Sequence, residues 1–144
     1  MVSEIPSEML YMGCQPSFSF ALSIFNVLTL MSPGLEIALY RVAQEALYNC
    51  WKHAEASRVT LSVRRDGNTV CLTVSDDGRG YRPSQSNEAL HLGILSMRER
   101  LRPWGGRLTI SNREEGGTIV VAEVMIGGNY GREQPAAAYS STHS

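Results

Sequence analysis

Val74-Ser75-Asp76-Asp77-Gly78-Arg79-Gly80-Tyr81 is a strand end that runs into an acidic, glycine-rich turn. Upstream, Val70, Leu72 and Val74 alternate with Cys71, Thr73 and Ser75, the period of a half-buried strand. The strand must stop near Asp76. Glycines at 78 and 80 then let the backbone take positive φ or approach a ligand closely, and a carboxylate at a strand mouth is an acceptor that a buried base amine can use. Taken alone, the string reads first as a plain turn, because Asp-Asp-Gly ends many hairpins. Its surroundings have to decide.

A chain of 144 residues is one domain with one core, and its 43% hydrophobic and 19% charged residues are ordinary for a globular protein. With 13 Lys and Arg against 14 Asp and Glu, the net charge of -1 gives no electrostatic case for nucleic acid or an anionic membrane. Cys14, Cys50 and Cys71 are odd in number and lack C-x-x-C spacing, so neither a zinc site nor a disulfide framework is indicated. Cys50 and Cys71 read as small buried side chains, and a reducing cytoplasm is the expected compartment. The longest apolar stretch, Phe18 to Met31, is interrupted by Ser19, Ser23, Asn26 and Thr29 and has no basic segment before it. It is too short and too polar for a membrane span and does not read as a signal peptide.

In chain order, residues 1–16 contain Pro6, Gly13 and Pro16 and no period, which predicts an irregular arm. Phe18, Phe20, Leu22 and Ile24 alternate as a strand within 17–29. Ser32-Pro33 is a helix start, a serine to cap free amides and a proline at the first turn, and the helix should run to about His53. Leu35, Leu39, Val42, Ala43, Ala46 and Cys50 form its buried stripe, while Arg41, Glu45, Asn49, Lys52 and His53 share another face. Such a polar face is ordinarily just solvated, but asparagine gains nothing in mid-helix from propensity. Val59, Leu61 and Val63 mark the next strand, and Asp66-Gly67 signals a two-residue hairpin into Val70–Ser75. Residues 82–91 are a polar, mobile loop. A second helix begins about Leu92-Gly93, carries Ile94, Met97 and Leu101, and is ended by Pro103 and Gly105-Gly106. Two further strands, Arg107 to Ser111 and Thr118 to Met125, form another hairpin, and 127–144 reads as a disordered tail. The order predicts a two-layer α/β (α+β) sandwich over 17–126, a mixed, mostly antiparallel sheet with helices on one face.

Four blocks then fall in a fixed order: Glu45-x-x-x-Asn49 with Lys52-His53, Asp76-x-Gly78-x-Gly80, Leu92-Gly93-Ile94 before Met97-Arg98-Glu99-Arg100, and Gly117-Thr118. This resembles the ATP-binding domain of sensor histidine kinases, in the ATPase superfamily (GHKL, the Bergerat-type fold) shared with gyrase, the chaperone Hsp90 and the mismatch repair protein MutL. Gln44-Glu45-Ala46-Leu47 to Lys52-His53-Ala54, with Met97-Arg98-Glu99-Arg100-Leu101, is most similar to kinases of two-component systems whose response regulators carry a helix-turn-helix output domain.

The resemblance implies a role for each matching residue. Asn49 would hold Mg²⁺, a hard cation that favours amide and phosphate oxygens and retained water. Glu45 matches the catalytic acid that orients or deprotonates water in hydrolytic members. Lys52 would reach phosphate oxygens as a point charge, with a solvated lysine as the plain alternative. Asp76 would accept from the adenine amino group, Gly78 and Gly80 would let the backbone pass beneath the base, and Thr118 with a bound water would complete the adenine contact. Gly93, at the start of the second helix, would bring backbone amides to the phosphates. Residues 82–92 would be a lid over ATP. Asp77 reads as a solvent-facing turn residue.

Two departures matter. His91 stands where the family's lid often has glycine. None of His53, His91 and His143 has the His-Asp context of a phosphoacceptor helix, so this chain should not autophosphorylate by itself. The expected partners are ATP, a histidine-bearing dimerisation domain and, through it, a response regulator, with the isolated domain a monomer or weak dimer. Two alternatives stand beside this reading: a serine protein kinase of the anti-sigma-factor type, and a degenerate domain that binds protein without nucleotide. The Met97-Arg98-Glu99-Arg100 phrase argues against the first, the intact Asn49, Asp76, Gly78 and Gly80 against the second.

Overall fold

The longer helix, α1 (Pro33–His53), starts where Ser32 lies in extended backbone (φ -68°, ψ 150°) and its Oγ accepts from the Leu35 amide at 3.4 Å. The structure is a computed structural model that describes residues 19–24, 31–85 and 87–127, with backbone alone at 19–24 and 85. The expected arm at 1–16 and the tail beyond Gly127 lie outside the described residues, as do Cys14 and His143. Leu35, Ala38, Leu39, Val42, Ala46, Leu47 and Cys50 are buried along α1, so the anticipated stripe is present, widened by Ala38 and Leu47. Basic Lys52 and His53 close the last turn, where the helix dipole favours them.

Five strands form one sheet: β1 (Ser19–Ile24), β2 (Arg58–Asp66), β3 (Thr69–Asp76), β4 (Arg107–Asn112) and β5 (Thr118–Met125), in the order β1-β2-β3-β5-β4. β1 runs parallel to β2 and the other pairs are antiparallel, which is the mixed sheet expected. The registers place Leu61 opposite Val74, Val74 opposite Val120, and Val120 opposite Ile110. One face thus carries an apolar band, Val59, Leu61, Val70, Leu72, Val74, Leu108, Ala122 and Val124, all buried. The alternate positions lie on the other face and are mostly polar, among them Thr60, Ser62, Thr73, Ser75 and Thr109, with Ile119 and Val121 between them. Both helices cover the apolar face.

Two boundaries differ from the sequence expectation. Asp66 still pairs with Thr69, so the hairpin turn is Gly67-Asn68 and not Asp66-Gly67. Gly67 has φ +56°, the left-handed requirement at the first turn position, while Asp66 can stay extended. The second helix, α2, spans Glu88–Leu101 and does not wait for Leu92-Gly93. Asn87 caps it, its Oδ1 accepting from the Leu90 amide at 2.9 Å, and Glu88 sits favourably in the first turn. With a 3₁₀ turn at Pro83–Gln85, little of the stretch from 82 to 92 is irregular. The end of α2 falls as expected: Gly105 is left-handed (φ 62°), and the Gly106 amide donates to the Leu101 carbonyl.

Met97 and Leu101 are almost wholly buried between α2, α1 and the sheet, as is Val42 beneath them. Burial of such a side chain is worth about 1.5–3 kcal/mol. The seam between the helices is close: a Cβ on Gly93 would overlap the Glu45 carboxylate. The apolar band runs out at one end of the sheet into Asp76 and Thr118, the two buried polar residues of the described chain, 3% and 9% exposed. A carboxylate so placed marks where the core ends and chemistry begins.

Candidate functional site

β3 ends at Asp76 because its neighbours need the carboxylate. Oδ1 accepts from the Gly78 amide at 2.8 Å and the Thr118 amide at 3.2 Å, and Oδ2 accepts from the Cys50 thiol at 3.4 Å. Three elements are joined there: the turn after β3, the start of β5 and the last turns of α1. The Asp76 carbonyl is held as well, accepting from the Arg113 guanidinium at 3.0 Å, while the other arm of Arg113 pairs with Glu115 at 2.7 Å. Gly117 lies so close beneath this carbonyl, at φ +97°, that a Cβ there would overlap it.

Asp77 is exposed, as expected, but it is more than a turn residue. Its carboxylate accepts from the Ser57 and Arg58 amides at 2.9 and 2.8 Å and from the Ser57 hydroxyl at 2.7 Å. These donors hold its carboxyl below the usual carboxylate range, the Ser57 side chain contributing most. The two neighbouring acids are therefore divided: Asp76 faces inward, and Asp77 ties the turn to the start of β2.

Beyond Asp76 opens a cavity of about 250 Å³. Ala46, Ile94, Met97, Ile110 and Val120 give it apolar walls, and Asn49, Cys50, Asp76 and Thr118 supply polar groups. His53, Arg79, Gly80, Tyr81 and Arg82 line it as well. Few convergent polar groups in an apolar cleft are the usual make-up of a small-molecule site. Although the whole chain is nearly neutral, this edge is basic. Burial, then Lys52, then Arg79 push the His53 imidazole below its ordinary pKa, with Glu45 opposing.

The sequence-selected residues divide. Asn49, Asp76, Gly80 and Thr118 line the cavity together. Asn49 is half-buried, and no described residue takes up its amide. Lys52 is exposed on the turn beyond Asn49 and does not line the cavity. Glu45 is half-buried with its carboxylate against Gly93, off the cavity wall. Gly93 itself is buried inside α2 and so is not the helix start that was expected. Gly78 is required by the protein itself: a Cβ there would overlap the Ala54 carbonyl, which accepts from the Arg79 amide at 2.9 Å.

Sequence reasoning missed Cys50, Arg79 and Arg82 as cavity residues, and Asn112 and Arg113 as the residues that brace the turn beside the cavity. Asn112 clamps the glycine turn onto β4, its Oδ1 accepting from the Tyr81 amide at 2.7 Å and its Nδ2 donating to the Tyr81 carbonyl at 3.0 Å. A Cβ on Gly80, at φ +86°, would come within 3.0 Å of the Asn112 amide oxygen.

Residues 34–127 match the family described as histidine kinase-, DNA gyrase B-, and HSP90-like ATPase. The chain belongs to this family. The domain is of the ATP-binding catalytic type that sensor histidine kinases carry. It is 33% identical over 98 residues to the signal transduction histidine-protein kinase/phosphatase DegS of Bacillus subtilis, covering 67% of this chain and 26% of DegS. To the nitrate/nitrite sensor protein NarX of Escherichia coli it is 41% identical over 85 residues, 59% of this chain and 14% of NarX. This chain therefore spans a minor part of either relative. Among solved structures it is similar to the ATP-binding domain of PrrB from Mycobacterium tuberculosis, with TM-score 0.63 and 21% identity over 83% of this chain and 88% of that one. Similarity to the histidine kinase AdeS of Acinetobacter baumannii reaches TM-score 0.69 at 13% identity, over 85% of this chain and 61% of that one. These likenesses bear on the fold of the ATPase domain alone. No described helix is long and apolar enough to cross a membrane.

Proposed function

We propose that the domain binds ATP with its base against Asp76 and its phosphates toward Asn49, His53, Arg79 and Arg82, and donates the γ-phosphoryl group to a histidine on a dimerisation domain. The observation that supports this most is the buried Asp76 carboxylate, which lines an apolar cavity of purine-compatible size and keeps an accepting position beyond the three it has filled. Thr118, buried beside it, offers a hydroxyl for the same base edge. Gly80 and Tyr81 let the backbone border the base, with Gly78 holding that turn against α1.

The donor set suits Mg²⁺ in one specific way. No described cluster of three or more His, Cys, Asp or Glu side chains could cage a metal ion, whereas Asn49 offers a free amide oxygen. That fits a cation that keeps its water and takes its remaining ligands from substrate phosphates. Bound there, Mg²⁺ would neutralise phosphate charge. Lys52 reaches the phosphates from the rim as a point charge.

In the transfer, a neutral imidazole nitrogen attacks the γ-phosphorus and a P–N bond forms. The bond from that phosphorus to the bridging oxygen breaks, and ADP leaves with the electron pair. The proton on the other imidazole nitrogen passes to a base, the role assigned to Glu45. Catalysis is then mostly positioning and charge stabilisation. The family likeness to two-component kinases supports a response regulator as the downstream partner and a cytoplasmic location.

The test is phosphotransfer from γ-labelled ATP to separately prepared dimerisation helices of a related kinase. Acid-labile label on the helices, absent with Asp76→Asn, is the expected result. Acid-stable label on a serine of a partner protein, with none on the helices, would replace this reading by the serine kinase one.

A further inference from the structure

Cys50 lines the cavity and meets the side chain of the proposed base reader through a thiol. It sits on α1 one position after Asn49, 4% exposed, and its thiol donates to Oδ2 of Asp76. Oδ1 already accepts from the Gly78 and Thr118 amides. A carboxylate has about four accepting positions. With both on Oδ1 and one on Oδ2 filled, one remains, on Oδ2.

We infer that Cys50 is a positioning residue that sets base specificity: by donating to Oδ2 it fixes the carboxylate plane and leaves Asp76 a single accepting position, which takes an amino group and refuses an oxo group at the same place on a purine. The inference rests on the ATP reading given above. A 6-amino group fills the last position. A 6-oxo group would set oxygen against oxygen, and relief would need either rotation of the carboxylate or a hydrogen on Oδ2. Rotation costs Oδ1 its two amides, and a hydrogen on Oδ2 would compete with the one that Cys50 supplies. The thiol suits a donor role and no chemistry of its own, since burial and then the neighbouring Asp76 charge push its pKa far up and keep it protonated.

The packing around Cys50 also limits what else it could be doing. It is part of the buried stripe of α1, so its side chain contributes apolar contact whether or not the thiol donates. Substitutions of different size and donor capacity separate the two contributions. Cys50→Ser keeps a donor, Cys50→Ala removes donor and volume, and Cys50→Val removes the donor while restoring volume.

The experiment is calorimetric titration of the full 144-residue chain with Mg-ATP and with Mg-ITP, whose base carries oxygen at position six. Each of the four proteins is first checked for a cooperative thermal transition. The readout is the ratio of the two dissociation constants, which a loss of packing alone would leave in place. Wild type and Cys50→Ser are expected to prefer ATP by similar ratios, while Cys50→Ala and Cys50→Val lower that preference at least threefold. If either of these two fails to fold, the other together with Cys50→Ser decides. An unchanged ratio in a folded donor-less variant, or a collapsed ratio in Cys50→Ser, overturns the role of Cys50 while ATP binding stands. Wild type that binds neither nucleotide overturns the ATP reading itself.

Discussion

Asp76 accepts three hydrogen bonds from the protein and Asp77 accepts three more, yet the two acids serve different ends because one is buried and the other is not. For Asp77 the consequence is a pH dependence. Its carboxyl is depressed in the folded state, so the stability it contributes is fully present above the unfolded value of about 4 and is lost as pH falls through the lower folded value. Asp77→Asn should therefore flatten the acid limb of the stability profile and cost roughly 1 kcal/mol at neutral pH, kept small by solvent exposure. Urea unfolding of both proteins from pH 3 to 7 measures it. Parallel profiles would mean that the Ser57 and Arg58 bonds contribute nothing in solution.

At this scale the sequence was informative about Asp76 only through its surroundings, because the strand end and two glycines alone fit a plain turn and the motif order along the chain singled out the carboxylate. It showed Cys50 only as a member of the core stripe, with no signal that its thiol donates to Asp76. Asn112 and Arg113 were illegible for a different reason. Their partners, Tyr81 and the Asp76 carbonyl, are more than thirty residues away in the chain, and only the β4–β5 pairing brings them near.

At the scale of elements, the glycines rank by what a side chain would strike. Gly117→Ala meets the Asp76 backbone at a left-handed φ, and Gly78→Ala meets the Ala54 carbonyl. Neither neighbour can yield without moving a strand mouth or a helix end, so each variant should lose about 2 kcal/mol or more. Gly93→Ala meets only the far end of the Glu45 side chain. A glycine replaced by alanine inside a helix gains up to about 1 kcal/mol of propensity, which offsets the displacement. Thermal unfolding should find Gly93→Ala near wild type and the other two clearly destabilised; a large loss in Gly93→Ala would show that the helix seam has no slack.

Element boundaries were less legible than the elements themselves. Alternation and the 3, 4 spacing located all the described strands and both helices, but the start of α2 went unread. Asn87 and Glu88 sit inside a run of polar residues where a cap looks like any loop residue. The β2–β3 turn was misplaced by one position because Asp-Gly and Gly-Asn are both good turn pairs, and only the strand register chooses between them.

For the whole molecule, the cavity lies where two helices and the sheet end share one core, so ligand binding and stability are linked. Leu101 is buried and does not line the cavity. Leu101→Ala should cost about 2–5 kcal/mol, and ATP at a hundred times its dissociation constant should return about 2.7 kcal/mol. Thermal melts with and without Mg-ATP would show that partial recovery. Absence of any shift at saturating nucleotide would mean that ATP does not bind the folded domain.

The overall architecture was the most legible level, since the order of periods along the chain allows few sheets. The chemistry came from a motif order spread over the whole chain, which composition could not supply: a net charge of -1 hides a basic cavity edge formed by Arg79 and Arg82. The central claim is that Asp76 reads the base of ATP. Calorimetric titration of wild type and Asp76→Asn with Mg-ATP tests it most directly. The amide keeps one accepting oxygen for the Gly78 and Thr118 amides but turns a donor toward the thiol and the base. Wild type should bind with one site and Asp76→Asn at least a hundredfold more weakly, with its thermal transition retained. Equal affinity in the two proteins would contradict the account.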